Sequence, residues 1–338
     1  MGRRILVASV CVVALGGLMP TDVVGQSGQQ TPWGDPDLQG TYTFKTTTPL
    51  LRPDDLGDKE FLTDEEVAAQ EQAALEFNQQ LLDAPAVRAE AGGNVGAYNN
   101  FWLDPGTRPS RRTSLVVDPP NGQLPPRTPD GQQRHEAHGA SFPGSGPFET
   151  WGDLELNDRC LFWSAGPPML PTFYNNNFMV FQAPGYVVLH FEMIHDTRII
   201  PLDDRAQLPT TMRQWIGSPR GHWEGDTLVV ETRNIRRTES NAGTGALPGT
   251  AGGDVFLLRA ANGRTDDTIT ITERFTRVDA GSVRYEFTVD DPTQWTQSIS
   301  GEFPATSLAP GELMYEFACH EGNYTMTNIL TGERESER

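Results

Sequence analysis

Three short strings and one isolated carboxylate carry the residue types that could do chemistry. The first string is His190-Phe191-Glu192-Met193-Ile194-His195-Asp196-Thr197-Arg198. Glu192 and His195 have the E-x-x-H spacing that joins ligands of one metal on a helix. Here β-branched and aromatic neighbours predict strands instead, with His190 and Glu192 on one face and Val187, Leu189 and Phe191 on the other. A mixed face turned into a barrel would line a ligand site; turned outward it would be solvated. The second string, Arg220-Gly221-His222-Trp223-Glu224-Gly225-Asp226, puts His222 and Glu224 on one strand face and Trp223 on the other, ahead of a Glu-Gly-Asp hairpin turn. The third, Cys319-His320-Glu321-Gly322-Asn323-Tyr324, gathers hydrogen-bonding groups after a strand end, and strand ends at a barrel mouth are common ligand sites.

Glu273 is the isolated carboxylate. It shares a face with Ile269, Ile271 and Phe275, so burying that face buries the acid. A carboxylate in an apolar setting is raised in pKa, as a general acid or base requires, or is paired. The partners on offer are Arg198, Arg213 and Arg274. Together these residues frame an acid–base site of Glu192, His195, His222, Glu273, His320 and Tyr324. Histidine would serve as base, glutamate as acid, and Tyr324 or an arginine as oxyanion partner. Arg198, Trp223, Asn323 and Arg112 are the candidate substrate contacts. No cofactor is required; in a metal variant His195, His222 and His320 would hold a divalent ion with one open position. His135 and His138, at i and i+3, read as a surface loop.

Positioning these residues falls to strands. From Phe178 onward, period-two segments bounded by turns predict strands at 178–182, 186–193, 196–201, 220–224, 227–233, 255–259, 268–277, 282–289, 295–303 and 312–319. Hairpins in sequence predict a mainly β protein, an antiparallel meander forming a lipocalin-like barrel, with a β-sandwich as the rival. Upstream, a short strand is expected at 41–44 and another at 114–117. One helix is expected over 64–82. Thr63 and Glu66 form its capping box, Leu62 and Val67 its hydrophobic staple, and its apolar stripe would lie on the sheet. The expected division is a leader at 1–26, an N-terminal wrap carrying the helix at 27–170, the barrel at 171–332 and a tail at 333–338. The stretch 239–254 reads as a flexible loop.

Composition narrows the function. The chain has 338 residues with 26 basic and 45 acidic side chains, a formal charge of −19, which disfavours nucleic acid as a partner. Its 34 glycines and 26 prolines disfavour a helical bundle. Arg3, Arg4 and the apolar run Ile5–Met19 form a secretory leader too short for a stable membrane span. Its removal leaves Cys160 and Cys319, either a disulfide of the oxidising compartment or two buried thiols. No G-x-S-x-G, H-E-x-x-H, Walker or dinucleotide motif occurs.

The strings Arg112–Gly122 (RTSLVVDPPNG), Gly166–Pro171 (GPPMLP), Glu192–Asp196 (EMIHD) with Arg198–Asp203 (RIIPLD), Gly221–Val230 (GHWEGDTLVV) and Tyr315–Tyr324 (YEFACHEGNY) resemble a family of exported bacterial proteins usually described as hypothetical. The resemblance spans nearly the whole mature chain. It implies an envelope or extracellular β-barrel-like protein, periplasmic or secreted, and transfers no catalytic residue. Gly221–Val230 also looks like a lipocalin-type hairpin. The expectation is an exported lyase or hydrolase acting on a small organic or carbohydrate-derived substrate inside the barrel. The alternatives are a non-catalytic, lipocalin-like binder of an apolar or aromatic small molecule and a structural envelope protein with no pocket.

Overall fold

A computed structural model describes residues 29–85, 103–104, 106–139, 148–154, 159–161, 166–172, 174–236 and 269–336. The leader, the expected strand 255–259, the loop 239–254 and the side chains of His135 and His138 lie outside the described residues.

Among the described residues ten strands are formed: β1 (Gly40–Thr43), β2 (Val116–Asp118), β3 (Asn177–Ala183), β4 (Tyr186–Phe191), β5 (Thr197–Pro201), β6 (Ser218–Glu224), β7 (Thr227–Arg233), β8 (Thr270–Arg277), β9 (Ser282–Asp290) and β10 (Ile299–Ser307). Nine of them make one continuous antiparallel path, β5-β4-β3-β1-β10-β9-β8-β7-β6, which curls into a nearly closed barrel. A sandwich would need two sheets, and the described residues form one. The wrap supplies β1, which enters between β3 and β10, while β2 pairs with the other end of β10.

An odd number of alternating strands has a geometric consequence: the two ends of the path, β5 and β6, run in the same direction. They approach without laddering, and side chains seal the seam. Gly221 of β6 is bare at that point. A Cβ there would lie 2.7 Å from Ile200 and 2.8 Å from Leu202, so only glycine admits both.

Alternation decides what fills the barrel. Every second residue of β4, β8 and β9 is buried: Val187, Leu189 and Phe191, then Ile271, Glu273 and Phe275, then Val283, Tyr285, Phe287 and Val289. Aromatic rings pack across the interior, Tyr285 at 5.0 Å from Phe303 and 5.1 Å from Phe275. The wrap adds Met169 and Leu170, both at 0 % exposure. Leu38 enters the core as well, its N–H donating to Gln182 Oε1. Burying side chains of this size contributes on the order of 1.5–3 kcal/mol each.

Several expectations need correction. The helix α1 (Asp64–Asp83) has the expected capping box, yet none of its residues is buried. Leu75, Phe77 and Leu82 are 49 %, 47 % and 62 % exposed, so its weak stripe does not lie on the sheet. Among the described residues two helices beyond the one expected are present, α2 (Pro129–Gly139) and α3 (Thr325–Ser336). Thr128 Oγ1 accepts the Gly131 N–H and Pro129 opens the first turn of α2, a start signal hidden among the neighbouring prolines. Residues 312–319 alternate like a strand but find no partner strand among the described residues. The last strand begins at Ile299, because Asp291 ties Thr293, Gln294 and Trp295 into a turn.

Candidate functional site

Glu273 sits inside the barrel at 0 % exposure, against Arg198 of β5 at 1 %. Arg198 donates two hydrogen bonds to the carboxylate, Nη1 to Oε1 at 2.9 Å and Nη2 to Oε2. Tyr285 OH donates to Oε1 at 2.8 Å and accepts the Met169 N–H at 2.8 Å. Of the partners the sequence offered, Arg198 is the one that reaches. Burial alone would pull the Arg198 guanidinium down, but the charge and hydrogen bonds of Glu273 hold it above its ordinary value. Burial first, then Glu273, pushes the Tyr285 phenol well above the usual tyrosine range. The carboxylate accepts three hydrogen bonds and is cut off from solvent, which is the arrangement of a structural ion pair.

The remaining acid–base candidates lie elsewhere. Glu192 is 3 % exposed; its Oε2 accepts from Asn177 Nδ2 at 2.6 Å and its Oε1 from the Tyr315 N–H at 2.9 Å. His195 Nδ1 donates to the Phe317 carbonyl at 3.0 Å. Both therefore fasten the extended segment 312–319 where a ladder would otherwise hold it. The corner that carries them is bent: Ile194 and His195 have φ of 55° and 44°, a region costly for a β-branched residue. The same segment is bridged to the wrap by a disulfide between Cys160 and Cys319, and Asn323 Nδ2 donates to Cys160 Sγ. His320 is exposed and Tyr324 is 69 % exposed.

His222 lies near the far end of β6, paired with Glu224 at 3.2 Å on the outer face. Glu224 also accepts from Arg274 at 2.8 Å, and these two bonds hold its carboxyl below the usual range. Because β5 and β6 run the same way, His195 at the start of β5 and His222 near the end of β6 are at opposite ends of the barrel. Trp223 points inward. The mixed face of β4 points outward, since its apolar face is the buried one. Arg112 is engaged by Glu60 and Glu302 and stacks over Phe61 at 4.7 Å. Among the described residues no three His, Cys, Asp or Glu side chains group closely enough to hold a metal ion. The structure thus joins Glu273 with Arg198, and Glu192 with His195 around one segment, but it does not bring the acid–base set to one point.

A concave site does exist, on the outer wall. Facing outward from β8, β9 and β10, two ladder rows stand side by side: Thr272–Thr288–Ser300 and Arg274–Glu286–Glu302. They line a hollow of about 160 Å³. Val117, next to the paired residues of β2, forms one wall, where β10 carries a bulge between Ser300 and Gly301. Thr288 and Ser300 share a hydrogen bond of 2.9 Å, and Arg284 holds Glu286 at 3.3 Å. None of Thr272, Glu286, Thr288, Ser300 and Glu302 stood out in the sequence. Polar alternation marked them only as an outward face, and their convergence depends on strand register.

No protein-family model matches the chain, and no curated protein matches its sequence. Among solved structures, a crystallised "secretary abundant heat soluble (SAHS) protein" from Ramazzottius varieornatus is similar over 39 % of this chain and 70 % of its own, at 7 % identity and a TM-score of 0.22. At that score the likeness adds nothing to the fold, which rests on strand pairing.

Proposed function

We propose that this is an exported binding protein that holds a small molecule in the hollow on the outer wall of its barrel. The observation that carries this reading is the convergence of six polar side chains from three adjacent strands around an open space of about 160 Å³. Well-formed concavities with a few convergent polar groups are the usual place for a small ligand. Binding inside the barrel, as in a lipocalin, is less favoured, because rings, Met169 and Leu170 occupy the interior. Acid–base catalysis by the histidines is less favoured because His195 and His222 face opposite ends. Export is part of the reading: the leader at 1–26 and the Cys160–Cys319 bridge both suit an oxidising compartment.

The test is incubation of the mature protein with a pool of small metabolites, followed by native mass spectrometry and by mass analysis of the pool. A bound species lost in Thr272→Trp, which fills the hollow from its exposed side, is the expected result. Conversion of a pool component at a rate abolished by His195→Ala or His320→Ala would overturn it in favour of an enzyme.

A further inference from the structure

The lining of the hollow specifies the chemistry of its occupant. One row offers three hydroxyl-bearing side chains, Thr272, Thr288 and Ser300; the other offers the carboxylates of Glu286 and Glu302 and the guanidinium of Arg274, one nitrogen of which donates to Glu224. Hydroxyls donate and accept, carboxylates accept, and guanidinium donates. A ligand matched to that grid presents several groups able to do both, which means hydroxyls. A carboxylate accepts from two neighbouring hydroxyls at once with its two oxygens.

The placement of the two glutamates argues against a merely solvated face. Glu286 and Glu302 are direct cross-strand partners. Like charges opposite one another disfavour the sheet. The arrangement is kept by flanking cations, Arg284 at Glu286 and Arg112 at Glu302, the latter fixed further by Glu60 and the Phe61 ring. These ion pairs leave the hollow with acceptor oxygens and no strong excess of either sign. A phosphate or carboxylate ligand would meet both glutamates; a polyamine would meet Arg274. An apolar molecule would find Val117, Phe287 and Gly301 for contact but would leave the six polar side chains without partners. The volume is that of a single six-membered ring, since a cavity of about 150 Å³ takes benzene.

We propose that the hollow takes a neutral, polyhydroxylated ring of monosaccharide size, held by Glu286 and Glu302 on its hydroxyls and by Arg274. This inference rests on the reading of the hollow as a binding site, and the two can fail separately.

Ligand-observed NMR and calorimetry on the mature chain decide it. The probes are glucose, galactose, mannose and myo-inositol, with inorganic phosphate, spermidine and benzene as anionic, cationic and apolar comparators. The expected result is saturable binding of at least one polyol, weakened about tenfold or more by Glu286→Gln and by Glu302→Gln, the loss of a charge-assisted hydrogen bond, and abolished by Thr272→Trp. All three side chains lie on the outer face, and an unchanged thermal unfolding curve checks that each variant is folded. If a comparator binds and is lost in Thr272→Trp while no polyol binds, the ligand class is overturned and the site stands. If no probe binds in a manner sensitive to Thr272→Trp, the inference is overturned, and the metabolite-pool experiment then decides the site itself.

Discussion

Arg198 on β5 and Glu273 on β8 meet across the interior of the barrel, both side chains fully excluded from water. They are not neighbours in the sheet: β6 and β7 stand between their strands on one side. The pair therefore spans the seam where β5 and β6 approach without a ladder. A buried ion pair adds little net stability over apolar residues of the same volume, but leaving one charge alone is costly.

Arg198→Met should accordingly lose roughly 3–5 kcal/mol, while Arg198→Met with Glu273→Leu should recover most of that loss. Urea unfolding of both variants checks it. A single variant within about 1 kcal/mol of wild type would show that the pair is not buried as described.

Tyr285 should control alkaline stability. Its phenol is pushed well above the ordinary value by burial and by Glu273. The folded state thus holds that proton more tightly than the unfolded chain, so the contribution is intact below about pH 10 and is lost as pH rises above it. Spectrophotometric titration of the seven tyrosines should leave Tyr285 unionised until the barrel unfolds. Tyr285→Phe should flatten the alkaline limb of the stability curve. It should also lower stability at neutral pH by roughly 1–3 kcal/mol, since Glu273 and the Met169 N–H each lose a partner.

The Cys160–Cys319 bridge closes a loop of 159 residues between the wrap and the segment after β10. Its removal in Cys160→Ser/Cys319→Ser should cost about 2–5 kcal/mol, chiefly through the unfolded chain. Denaturation with and without reductant should give the same difference in the wild-type protein and none in the variant.

Glu192 should act locally. Glu192→Ala leaves the Tyr315 N–H and Asn177 Nδ2 without their acceptor. Amide exchange at Tyr315 should rise by at least an order of magnitude, the equivalent of about 1.4 kcal/mol, while amides of β8 and β9 stay protected. Equal acceleration in both places would mean that the segment 312–319 is part of the barrel's cooperative unit.

The sequence by itself determined the class of fold and much of its punctuation. Period-two alternation from Phe178 onward and the Ala183-Pro184-Gly185, Glu224-Gly225-Asp226 and Asp279-Ala280-Gly281 turns are local signals, and β3 to β9 formed within a few residues of them. Thr63 and Glu66 carried the start of α1 in the same way. Glu273 was legible as a buried acid because its strand neighbours were apolar. The alternatives left open there, catalyst or ion pair, turn on whether an arginine far along the chain reaches it. Arg198 does so only because the barrel curls β5 round toward β8.

Tertiary structure alone decided which face of β4 turned inward, and with it that His190 stayed outside. It decided that the alternating segment 312–319 would be held by Glu192, His195 and a disulfide instead of a ladder. It also assembled the hollow, whose six polar residues come from three strands spread over residues 272–302. Alternation fixes which residues share a face, but not which rows on neighbouring strands come level. Register between strands is set by hairpin geometry and by burial of the opposite face, so a site written across three strands leaves no contiguous trace in the chain.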